Sequence, residues 1–112
     1  MGFKKAKDAA IHFGVEILEF CKELNAKPDK NMDVIDALMF AGTGIGSIFY
    51  QINTVQEFKK NLEDIANGFG FTRMIIDKIL EEKHITEIQH KSLLEKLQVL
   101  TEVVERAKEE VQ

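Results

Sequence analysis

Residues 41–52 read AGTGIGSIFYQI, with glycines at 42, 44 and 46 running into an apolar stretch. As a loop, this would be a glycine-rich cradle for phosphate. As a helix, it is a surface stripped of side chains so that another element can pack closely. The flanking periodicity decides between them. Ile35, Leu38, Gly42, Ile45, Phe49 and Ile52 recur at alternating intervals of three and four, straight through the glycines, which is the spacing of one helical face. The phosphate reading also lacks its chemistry. A P-loop requires Gly-Lys-Ser/Thr after four intervening residues, yet no Lys or Arg occurs between Lys30 and Lys59. A dinucleotide fingerprint follows a strand, whereas GTGIG follows a helical apolar run. Helical glycines cost about 1 kcal/mol each relative to alanine, so close packing has to offset them.

Outward from this stretch the same spacing recurs. Ala6, Ala10, Phe13, Ile17, Phe20 and Leu24 form one seam, which ends at NAKPDKN, where Pro28 forbids helix continuation. Thr54 followed by Glu57 has the spacing of a capping box and predicts a helix from about Val55 to Glu82, with a seam of Phe58, Leu62, Ile65, Phe69, Thr72, Ile76 and Ile79. Thr86 and Gln89 repeat the box before a last seam of Leu93, Leu97, Leu100, Val104, Ala107 and Val111. No segment alternates as a strand does. Four helices of about 20 to 28 residues joined by short links predict an all-α, antiparallel up-down-up-down four-helix bundle, spanning residues 1–112 as one domain. Gly42 and Gly46 share a face, and the predicted partner is ANGFGF, with Gly68 and Phe69 completing a ring-against-notch contact. Phe71, Met74 and Ile75 lie off the main seam of the third helix. With Ala41 and Ile48 they make a candidate oligomer interface.

Composition narrows the function classes. The chain is 45% hydrophobic and 30% charged, with one Pro and one Cys, the balance of a folded helical protein rather than a disordered or disulfide-stapled one. Fifteen basic and nineteen acidic residues give a net charge of −4, so there is no global field to gather a phosphate backbone. Any nucleic-acid contact would need a local patch, for which Lys4, Lys5, Lys7, Lys59 and Lys60 are the candidates. The N-terminal stretch lacks an uninterrupted apolar core and a cleavage site, and no unbroken run reaches the 18 or so apolar residues of a bilayer span. A cytoplasmic location with no membrane association is the expectation.

Catalytic and metal constellations are sparse. Glu81-x-x-His84 and Glu87-x-x-His90 have the pair spacing of di-iron carboxylate bundles, but both flank one link instead of facing inward from separate helices. His12 reads as a boundary residue, and Cys21 as a small core hydrophobe with no base near it in sequence. Ser47 lies in the apolar helix, and Tyr50 and Gln51 close it. No catalytic residue, no metal ligand and no cofactor is predicted, and the chain is expected to be non-enzymatic.

The small-residue helix ALMFAGTGIGSI, a short polar link, then EFKKNLEDIANGFG and IIDKILEEKHI together resemble the four-helix bundle proteins encoded in intervening sequences of bacterial 23S ribosomal RNA genes. The likeness runs from about residue 11 to 107. A relative of that family is the accessory variability protein of diversity-generating retroelements, which binds a reverse transcriptase and nucleic acid. The resemblance implies an up-down bundle that assembles as a homopentameric ring and works as an interaction scaffold; the alternative it suggests is an RNA- or DNA-associated accessory protein. Two departures stand out: Gly44-Ile45, Ile48 and Gln51-Ile52 replace polar family positions, and the chain is acidic where the retroelement proteins are basic.

Overall fold

The computed structural model describes residues 2–112, and these are helical almost throughout, with no strand among them. Five helices follow in order: α1 Gly2–Asn25, α2 Met32–Tyr50, α3 Val55–Lys60, α4 Leu62–Glu81 and α5 Glu87–Val111. α1 packs on α2 and α5, and α4 packs on the same two, so the four long helices form a closed cycle. The molecule measures 46 × 21 × 18 Å.

Each boundary has a local cause. After α1 the chain turns through residues 26–31, and Asn31 caps α2, its Oδ1 accepting the N–H groups of Asp33 at 3.1 Å and Val34 at 3.3 Å. At the other end of α2 the Lys7 ammonium, reaching from α1, donates to the carbonyls of Tyr50 at 3.3 Å and Ile52 at 3.0 Å. The Tyr50 carbonyl is one of the acceptors that a helix C-terminus leaves without partners, and that of Ile52 lies just beyond it. Thr86 and Gln89 form the predicted capping box of α5 in full. Thr54 caps α3, but the Glu57 carboxylate accepts the N–H of Asn53, one residue earlier than a capping box requires.

The helix predicted over 55–82 is in two pieces. Asn61 separates α3 from α4, and its side-chain Nδ2 donates to the Glu57 carbonyl at 2.8 Å while its own N–H reaches Glu57 and Phe58. A side-chain amide competing for a helical carbonyl is the means by which asparagine interrupts helices. α4 ends in a Schellman motif: His84 N–H donates to the Ile79 carbonyl at 2.8 Å and Lys83 N–H to that of Leu80 at 2.9 Å. This motif places Lys83 in the left-handed region, with φ of 64°.

The core is one hydrophobic cluster drawing on all five helices. All six seam positions read through the glycine stretch, Ile35, Leu38, Gly42, Ile45, Phe49 and Ile52, are buried. Phe58 lies between Phe3 and Phe49, with ring centroids at 6.4 and 6.2 Å, and so fastens α3 to the start of α1 and the end of α2. Thr72 is the buried polar side chain of the core. Its hydroxyl is within hydrogen-bond reach of the Gly68 carbonyl at 2.8 Å and, across the helix interface, the Ala41 carbonyl at 3.3 Å.

The glycine notch faces a different helix from the one expected. A Cβ on Gly42 would lie 2.5 Å from Cγ2 of Ile17 in α1, and the nearest atom to one on Gly46 would be the Ala10 carbonyl oxygen at 3.7 Å. The close approach is therefore between α1 and α2. Gly68 does face α2, but it receives Ile45 and Ile48 instead of supplying a neighbour for the notch, while Phe69 turns half-buried toward α5. A three-four repeat specifies the inward face of a helix and leaves the neighbour open, so the notch faces α1 where ANGFGF of α4 is the expected partner.

Candidate functional site

The surface of α2 that faces neither α1 nor α4 carries Ala37, Phe40, Gly44 and Ser47, and it has no charged residue between Asp36 and the end of the helix. Phe40 is 71% exposed. Its ring meets that of Phe71 in α4 edge-on, with centroids 6.3 Å apart, and Phe71 is itself 40% exposed, with Met74 one turn on at 54%. Nothing lies within 4 Å of where a Cβ on Gly44 would sit. The cost of a helical glycine is thus incurred at a position where no atom of this chain gains by it. On the α1 side, Val15, Leu18, Met32 and Met39 line an apolar cleft of about 360 Å³.

The five predicted interface residues divide. Phe71 and Met74 are exposed, and Phe71 adjoins Phe40. Ile48 and Ile75 are half-buried against the core, and Ala41, expected at an outer contact, is buried between α2 and α4, where Thr72 approaches its carbonyl. Phe40, the most prominent member of the surface, is not among the five predicted residues, because it lies off the seam of α2. Its signal was available in the absence of charge on that side of α2.

The candidate basic residues also divide. Phe3 stacking on Phe58 brings Lys4 and Lys5 of α1 to the same end of the molecule as Lys59 and Lys60 of α3, all four exposed. Lys7 is engaged internally, holding the two carbonyls and Asn53 Oδ1 at 3.3 Å with its ammonium 5.9 Å from the Tyr50 ring centroid. Acidic groups share this end, since a side chain on Gly2 would meet the Glu110 carboxylate.

Cys21, His90 and His12 are each occupied or isolated. Burial, with a smaller contribution from Asp36, pushes the Cys21 thiol up to about 11, so it is protonated at neutral pH and its Sγ lies 3.8 Å from the Ile35 carbonyl. His90 Nε2 pairs with Asp77 Oδ1 at 2.8 Å, linking α5 to α4, and the exposed His12 lies 3.4 Å from Glu16 one turn on. Among the described residues no three His, Cys, Asp or Glu side chains converge as a metal site. By length and composition α2 is long and apolar enough to cross a membrane, although Asp33 and Asp36 interrupt its apolar run; a core helix meets the same requirement, and α2 buries its seam here.

No family model, no curated protein and no solved structure matches this chain. Its surfaces are therefore the ground for a functional reading.

Proposed function

We propose that the chain is an antiparallel up-down-up-down four-helix bundle, with α3 as the capped lead-in to α4, that works as a non-enzymatic, self-associating interaction scaffold in the cytoplasm. The observation that carries this reading is the Phe40–Phe71 pair on an uncharged helix face beside Gly44. An exposed aromatic pair next to a glycine with open space around it is what close helix approach from outside requires. The resemblance to intervening-sequence proteins gives the stoichiometry, a homopentamer. Size-exclusion chromatography with light scattering tests it: a mass near five times 12.8 kDa is expected. Phe40→Glu, which alters an exposed side chain, is expected to give the monomer mass with unchanged helical circular dichroism. A wild-type monomer at micromolar concentration would overturn the reading.

The second reading, an RNA- or DNA-associated accessory protein, is favoured by one observation, the arrival of Lys4, Lys5, Lys59 and Lys60 at one end. It calls for a salt-sensitive gel shift that is lost on replacing those four lysines with glutamine.

A further inference from the structure

At the end of the molecule away from Phe58, the link between α1 and α2 and the link between α4 and α5 border an open cavity of about 210 Å³. Its charged lining is one-sided. Lys27 and Lys30 enter from the first link, Lys83 and His84 from the second, and Asp29 is the one carboxylate among them. The ion pairs found among the described residues, His12–Glu16, His90–Asp77 and Lys96–Glu16, involve none of the three lysines. Three exposed lysines thus line one concavity with a single carboxylate, a local excess of positive charge that favours an anion.

Lys83 adds a separate argument. It occupies the left-handed position of the Schellman motif, where glycine is the usual residue because a Cβ is disfavoured there. The chain holds a lysine at that position, and its side chain lines the cavity. Asn31 and Thr86, which also line it, use their side chains to cap α2 and α5, so recognition falls to the lysines and His84.

The geometry points to this cavity as a binding site for a small phosphate-bearing anion of about the size of pyrophosphate. Its size and concavity favour a compact ligand over a nucleic-acid backbone, which the net charge of −4 would repel. The site lies apart from Phe40 and from the lysines at the other end, and it stands whether or not the chain self-associates.

Titration calorimetry and thermal melts of the full chain with inorganic pyrophosphate and inorganic phosphate, at low ionic strength and against chloride at matched ionic strength, test the assignment. Saturable one-site binding is expected, pyrophosphate tighter than phosphate. Lys83→Gly is the informative variant. It should hold or raise the melting temperature of the unliganded chain, because glycine suits the backbone, while weakening pyrophosphate binding about tenfold or more, the usual effect of losing one charged hydrogen-bond donor. Lys30→Ala should weaken it similarly, and Lys108→Ala on α5 should leave it unchanged. No binding beyond the chloride control, undiminished affinity in both Lys83→Gly and Lys30→Ala, or binding of an oligonucleotide without binding of pyrophosphate would each overturn the assignment.

Discussion

Ile17 of α1 occupies the space that a side chain on Gly42 of α2 would need: a Cβ there would fall between 2.5 and 2.8 Å from three of its carbons. Ile17 is β-branched, fully buried and held by one preferred rotamer, so it cannot swing aside. Gly42→Ala is expected to force α1 and α2 apart and destabilise the fold by about 1 to 3 kcal/mol despite alanine's better helix propensity. Urea unfolding measures it, and Ile17→Ala in the same chain should recover part of the loss.

Gly44 gives the opposite expectation. With open space around its Cβ position, Gly44→Ala should stabilise the dilute chain by about 0.5 to 1 kcal/mol through helix propensity alone. The same methyl should weaken self-association through α2, read by sedimentation velocity across a concentration series. Gly70→Ala, equally open, is a comparison on α4 and should bring the stability gain.

Lys7→Met keeps most of the aliphatic stem and removes the ammonium from the Tyr50 and Ile52 carbonyls. A loss of roughly 1 kcal/mol is expected, with fraying at the last turn of α2. Amide hydrogen exchange should show faster exchange near Phe49 and Tyr50 and little change in α5.

The Cys21 thiol gives a pH signature. Folded, it keeps its proton to about pH 11, whereas the ordinary value is 9.0. Raising the pH through that window ionises the unfolded chain's thiol first and so favours unfolding. Stability should therefore be insensitive to this group below pH 9, decline between about 9 and 11, and lose that component of its slope in Cys21→Ala. Thiolate absorbance of native and urea-unfolded protein should give midpoints separated in the same sense.

Much of the fold could be read from spacing. The seam through the glycines in α2, the capping box of Thr86 and Gln89 and the leucine face of α5 all stand where periodicity put them. The break at Asn61 was invisible because φ −98° and ψ 4° shift the backbone too little to disturb the phase between Phe58 and Ile65. Nothing local to Lys7, a candidate nucleic-acid contact by sequence, indicates that it crosses to another helix. For the same reason the lysines of the two links, far apart in sequence, gave no sign of sharing a cavity. The exposed apolar face is half legible in sequence: the register of α4 puts Phe71 and Met74 off its seam, whereas the edge-on contact of Phe40 with Phe71 depends on how α2 and α4 pack.

The order in which the helices touch has a kinetic consequence. α1 meets α2, and α4 meets α5, across short links, and α2 meets α4 with only α3 between them. The pairing of α1 with α5 alone joins opposite ends of the sequence. Local contacts of this kind place the chain among fast folders, in the microsecond to millisecond range. The search that limits the rate is then the arrival of α5 on α1.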